Sequence, residues 1–180
     1  MYYSEPQMEL LKVVRMLGCM ESRQARMLLR LRYGLAPEAA DSIARQLKCD
    51  GKIKTVGNTG LILSADGRED PCVLRAVDIA LSFAEQGNGP EILPCKRDYL
   101  LYAYYPDTSA RLWIVHVPEG MEPEKSTFVD YAQNTAPAHS VYVMLLDSAS
   151  QTAYIASSTP CILAYPDQNG RLQLKKWEGK

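Results

Sequence analysis

The feature that most constrains this chain is a change of hydrophobic period near residue 51. Before it, apolar residues recur every three or four positions; after it, they sit in two short runs around a glycine turn. Across Gln7–Leu17 the residues Met8, Leu11, Val14 and Leu17 keep the helical period, with Leu10 and Val13 beside them, and Gly18 ends the run. Ser22 is placed to cap a second helix through Leu31, with Ala25, Leu28 and Leu29 facing inward, until Tyr33-Gly34-Leu35 breaks it. Pro37 suits a first helical turn and opens a third helix with the stripe Ala40, Ile43, Ala44 and Leu47, closed by Asp50-Gly51. Lys52–Val56 and Leu61–Ser64 then read as strands joined by Gly57-Asn58-Thr59-Gly60.

Three helices followed by a β-hairpin is the order of a winged helix-turn-helix, expected here over residues 1–65. The polar stretch Asp66–Pro71 reads as a linker, and residues 72–180 as a second domain. That domain is expected to open with a helix over Cys72–Gln86, stopped by Gly87-Asn88-Gly89-Pro90. Strands are expected at Glu91–Cys95, Tyr99–Tyr105, Arg111–Val117, Val141–Leu146, Cys161–Tyr165 and Leu172–Trp177. A helix over Pro123–Thr135 and a short one near Ser148–Ala153 complete an α/β (α+β) domain with a mixed sheet.

Charge divides unevenly along the chain. Residues 1–65 hold ten Lys/Arg against six acids, a net +4, and residues 66–180 hold ten against fifteen, a net −5. A basic half points toward nucleic acid. No run approaches the roughly 18 apolar residues of a membrane span, and Met1–Pro6 lacks the pattern of a secretory leader. Cys19, Cys49, Cys72, Cys95 and Cys161 are odd in number and scattered, with no Cys-x-x-Cys pair. Thiols without a framework suit the reducing cytoplasm and exclude a zinc ribbon.

The third helix is the sharpest candidate for contact with double-stranded DNA. Ser42, Arg45, Gln46 and Lys48 lie on its outward side, and Arg45 and Gln46 have the side chains that read guanine and adenine edges. Arg23, Arg26 and Arg30 recur as one basic stripe on the second helix, which in this docking mode crosses the phosphates. Lys52 and Lys54 alternate onto one face of the first wing strand, within reach of flanking phosphates. The competing expectation is a protein-interaction adaptor with a solvated arginine face. Glu38 and Asp41 favour it, because both would face phosphates.

The second half has the strand and helix order of the PD-(D/E)xK nuclease fold. On the segments Glu21–Ser64, Leu100–Gly120 and Val141–Asp147, the chain resembles an uncharacterised family of bacterial mobile elements. Members join an N-terminal winged helix to a degenerate restriction-endonuclease-like domain, and are similar to replication-relaxation and MobC-type accessory proteins. The resemblance implies a non-catalytic, DNA-binding accessory or regulatory role in replication, transfer or transcription.

An active nuclease of that fold needs an acid on the second core strand and (D/E)-x-K on the third. Arg111–Val117 has neither carboxylate nor lysine, although Asp98 and Asp107 flank the strand before it. Cysteine hydrolysis would need Cys72, Cys95 or Cys161 beside His116 or His139, and structural roles for these residues are the plainer expectation. Phosphate-binding glycine motifs are absent from the sequence, so neither cofactor nor metal is expected. Tyr99, Tyr102, Tyr104 and Tyr105 form an aromatic strand suited either to stacking on bases or to packing a sheet. The acidity of the second half weighs against nucleic acid there, so a protein partner is expected on that domain. A homodimer is expected through the Gln7–Leu17 helix or the tyrosine strand.

Overall fold

The structure is a computed structural model that describes residues 2–57, 59–84 and 89–179. It is a mixed α/β protein dividing into two compact units, one of Met1–Pro94 with Tyr105–Asp107, the other of Cys95–Tyr104 with Thr108–Lys180. Among the described residues, no helix is long and apolar enough to cross a membrane.

The first unit contains α1 (Glu5–Leu17), β1 (Cys19–Glu21), α2 (Ser22–Tyr33), α3 (Pro37–Cys49), β2 (Ile53–Val56), β3 (Leu61–Ser64), α4 (Pro71–Ser82) and β4 (Glu91–Leu93). The helical stripes form its core, with Leu10, Val13, Val14, Leu28, Leu29 and Leu47 essentially inaccessible. The apolar face of α1, expected as a dimer surface, is therefore used inside the unit. Gly18 ends α1 at φ +84°, where its N–H bonds the Val14 carbonyl at 2.9 Å. Gly57–Gly60 connects β2 and β3, and its Asn58 lies outside the described residues.

Two local expectations change. Ser22 does not cap α2: Glu21 holds that position, its N–H bonding Gln24 Oε1 at 3.0 Å. The Ser22 hydroxyl donates instead to the Gly60 carbonyl at 2.7 Å, tying α2 to the hairpin. β1 falls on no expected element. This three-residue strand pairs antiparallel with β3, Cys19 opposite Leu63, to give a sheet in the order β1-β3-β2. A strand so short has no alternation to detect, and the open edge of β3 makes it one.

The expected boundary at residues 66–71 is also displaced, because that segment is packed. A Cβ at Gly67 would overlap the Gly18 carbonyl oxygen, and Asp70 N–H lies 3.4 Å from Cys19 Sγ. Asp70 caps α4 by accepting from Cys72 N at 2.9 Å and Val73 N at 3.3 Å. Gln24 Nε2 then reaches the Leu74 carbonyl at 2.8 Å, so α4 belongs with the helices before it. The expected end of this helix at Gln86, and Gly87-Asn88 after it, lie outside the described residues. Past them the chain returns over α2, where a Cβ on Gly89 would come 2.9 Å from Arg32 N.

The second unit arranges β5 (Leu101–Tyr105, less its last residue), β6 (Ala110–Val117), β7 (Ser140–Leu146), β8 (Cys161–Pro166) and β9 (Leu172–Trp177) side by side in that order. β6, β7 and β8 are mutually parallel and β9 is antiparallel to β8. The crossover from β6 to β7 is α5 (Glu122–Asn134), and a 3-10 turn over Ala149–Tyr154 lies between β7 and β8. Val129 and Ala132 of α5 pack on Val115, Val117, Met144 and Leu163. The alternate residues Leu112, Ile114, Val143, Leu145 and Ala164 are buried too. Burial on both faces explains why these central strands are almost continuously apolar.

Candidate functional site

The helix α3 follows α2 after a short turn begun by Gly34, whose φ of +66° lets its N–H bond Arg30 O at 2.9 Å. Pro37 starts it and Ala40 and Leu47 turn inward, while Ile43 and Ala44 stay half-buried. One turn of helix is 3.6 residues, so Glu38, Ser42, Arg45 and Cys49 run along one exposed line, with Lys48 beside it. Lys52 and Lys54 follow on the approach to β2 and within it, both exposed; Lys54 Nζ donates to the Ala65 carbonyl at 2.5 Å. A polar cleft of about 680 Å³ opens beside them, lined among others by Arg15, Gly18, Gly51, Lys52 and Asp66.

The expected basic stripe on α2 is largely neutralised. Arg23 forms a bidentate pair with Asp78 of α4, at 2.8 and 2.7 Å, and also meets Glu21. Arg26 Nε bonds Asp41 of α3 at 2.7 Å, which cancels the charge of both. The hydrogen bonds that Arg23 donates to Asp78 and Arg26 to Asp41 push these guanidinium groups above their ordinary pKa. Arg30 is exposed and forms no ion pair among the described residues. Gln46 is exposed, but its Oε1 accepts from Gln7 Nε2 of α1 at 2.6 Å, which ties up one half of its amide.

Of the expected set, Arg30, Ser42, Arg45, Lys48, Lys52 and Lys54 are exposed. Among the described residues, the five cations in this set form no ion pair. Bidentate Arg recognition of a guanine edge and Lys neutralisation of phosphate are both within this set's chemistry.

In the second unit, β6 carries no carboxylate, and the group nearest to an acid–base pair lies at its end. His116 Nε2 sits 2.9 Å from Asp147 Oδ1, just past the end of the parallel strand β7. Such a contact holds an imidazole in one orientation and tautomer, and these are side chains with metal-ligand chemistry. In the sequence they are 31 residues apart, and only the parallel register joins them. Cys161 is buried with Sγ 3.8 Å from Met144 Sδ, and burial pushes its thiol up to about 11, away from nucleophilic use. Cys95 is exposed, its Sγ 3.5 Å from the Tyr99 carbonyl.

No protein-family model matches this chain, and no curated protein or solved structure matches it at a significant level.

Proposed function

We propose that the protein is a non-catalytic DNA-binding protein, accessory or regulatory in role, whose first unit lays α3 in the major groove of duplex DNA. The observation that carries this reading is the run of exposed, unneutralised cations from Arg45 and Lys48 on α3 to Lys52 and Lys54 at β2. The succession α1-β1-α2-α3-β2-β3 with the sheet order β1-β3-β2 resembles a winged helix-turn-helix and supports the same docking mode. Arg45 is the base reader, with Ser42 beside it. Lys48, Lys52, Lys54 and Arg30 anchor phosphates. The resemblance to mobile-element accessory proteins supports a place in replication, transfer or transcription of such an element.

Selection of bound duplexes from a random pool, followed by anisotropy titrations at several salt concentrations, tests the proposal. Arg45→Ala weakens the selected site by about 1–3 kcal/mol and relaxes one base position. Lys52→Ala weakens all duplexes alike and lowers the salt slope by roughly one. A parent protein whose duplex binding is absent or insensitive to salt overturns the reading. The second reading, a protein adaptor, is favoured by the ion pairs that occupy Arg23 and Arg26 and by the Gln7–Gln46 bond; that same negative result would support it.

A further inference from the structure

We infer that the second unit carries a binding surface for single-stranded nucleic acid, built on the stacked rings of Tyr102 and Trp113. These rings lie 3.9 Å apart at 10°, and Trp113 continues to Tyr142 at 6.4 Å and 18°. Three nearly parallel rings thus cross β5, β6 and β7. The inner ring, Tyr142, is buried, and its hydroxyl bonds the Ala132 carbonyl at 3.3 Å. Tyr99 leans on Trp113 at 4.8 Å and on Phe128 of α5 at 5.2 Å. Tyr99, Tyr102, Trp113 and Phe128 all keep part of their surface in solvent.

Cations rim this cluster. The Arg111 guanidinium lies 5.7 Å over the Tyr104 ring, and Lys125 Nζ is 5.9 Å from the Phe128 centroid. The turn closed by Tyr99 N–H on the Lys96 carbonyl, 3.0 Å, adds exposed Lys96 and Arg97. Asp98 and Glu124, both exposed, lie among these four cations and leave them in excess.

The acidity that weighed against nucleic acid in this half disappears at the observed boundary. Cys95–Tyr104 with Thr108–Lys180 hold eight Lys/Arg and eight Asp/Glu, because most of the surplus acids belong to residues 66–94. Partly exposed rings with cations at their edges suit unpaired bases, which offer a π-face together with a phosphate; in a duplex those faces are covered by neighbouring pairs. This surface lies within the second unit and does not rest on the duplex reading.

Anisotropy of a fluorescein-labelled dT15 with the full chain, at low and moderate salt, tests the inference. The parent binds dT15 and, in a Trp177→Phe background that leaves Trp113 as the single tryptophan, emission is quenched. Tyr102→Ala weakens dT15 about tenfold, as the loss of one stacked base does, while Tyr102→Phe stays within about twofold. Should Tyr102→Ala melt early, the exposed double variant Lys96→Ala/Arg97→Ala serves instead, and its salt slope falls by about 1.4. Arg45→Ala leaves dT15 binding unchanged and Tyr102→Ala leaves duplex binding unchanged, so the two readings fail separately. Three results overturn the inference: a parent that does not bind dT15, equal affinity for parent, Tyr102→Ala and the Lys96/Arg97 double variant, or full competition by inorganic polyphosphate at equal charge.

Discussion

In the first unit, guanidinium groups meet carboxylates across helix faces: Arg23 with Asp78, Arg26 with Asp41, and Arg32 with Glu9 and Glu91. In the second, a carboxylate gathers neutral donors. Asp130 of α5 accepts from the hydroxyls of Ser157, Ser158 and Thr159 at 2.6, 2.8 and 2.7 Å, and from the N–H groups of Ser158 and Thr159 at 2.9 and 3.2 Å. Glu122 likewise accepts from Gln151 Nε2 at 2.8 Å. The solvent-exposed pairs of Arg23 and Arg26 contribute only about 0–1 kcal/mol each. Their consequence in the first unit is electrostatic, since they decide which cations remain for a ligand. The Asp130 hub is structural, because it fixes the segment leading into β8 to the helix that crosses the sheet.

Breaking the hub should have the largest effect. Asp130→Ala removes five hydrogen bonds to one carboxylate, but the buried Ser157 hydroxyl keeps the Thr159 carbonyl at 2.9 Å and Ser158 is exposed. A loss of about 2–4 kcal/mol is therefore expected, from bonds to a charged group worth about 1.5–3 kcal/mol each. Urea unfolding followed by tryptophan emission reports it, because one of the two tryptophans, Trp177, donates from Nε1 to the Ser157 carbonyl at 3.0 Å. A loss below about 1 kcal/mol would erase the contrast between the units. Burial raises the Asp130 pKa, but the hydrogen bonds from Ser157, Ser158 and Thr159 outweigh it and hold the carboxyl well below the ordinary range. With the folded value depressed, this stabilisation is present above about pH 4 and drains away as pH falls toward the folded value. Asp130→Asn should flatten that acid limb, which melts across pH 2–5 would reveal.

Gly67→Ala comes next, at about 1–3 kcal/mol, because the added methyl overlaps a backbone oxygen that cannot swing aside. An unchanged melting temperature would mean that residues 66–70 are not packed on the first unit. The smallest and sharpest effect concerns Arg26. Were it a phosphate anchor, Arg26→Ala would lower the salt slope of duplex binding by about one, with or without Asp41. Paired as it is, Arg26→Ala/Asp41→Ala should match the parent within about twofold, and Asp41→Asn alone should tighten binding by a few-fold at low salt. A double variant as weak as Arg26→Ala would return the arginine to the phosphate surface.

The boundary between the units also changes how charge is read. Divided at residue 65, the chain looks basic then acidic. Divided as the structure divides it, the first unit holds twelve Lys/Arg against thirteen acids and the second is balanced. The stretch Asp66–Pro71 is polar because it is a surface connection with a cap residue, not because two domains part there. Polarity marks exposure, and a segment can be exposed on one side while packed on the other.

Hydrophobic period by itself determined most elements, since helix and strand spacing are properties of a local backbone and show within one window. Every strand from β2 to β9 overlaps a segment whose pattern announced it, as do α1 to α5. The exposure of Ser42, Arg45, Lys48, Lys52 and Lys54 was legible in the same way. The state of those charges was not. Asp78 lies 55 residues from Arg23, and Gln7 lies 39 from Gln46, so no window contains both members of either pair. His116 and Asp147 meet only because β6 and β7 run parallel in one register. Which face of a helix is solvent-exposed follows from spacing along one segment, but which partner waits there depends on how segments pack. That was decided by the tertiary structure alone.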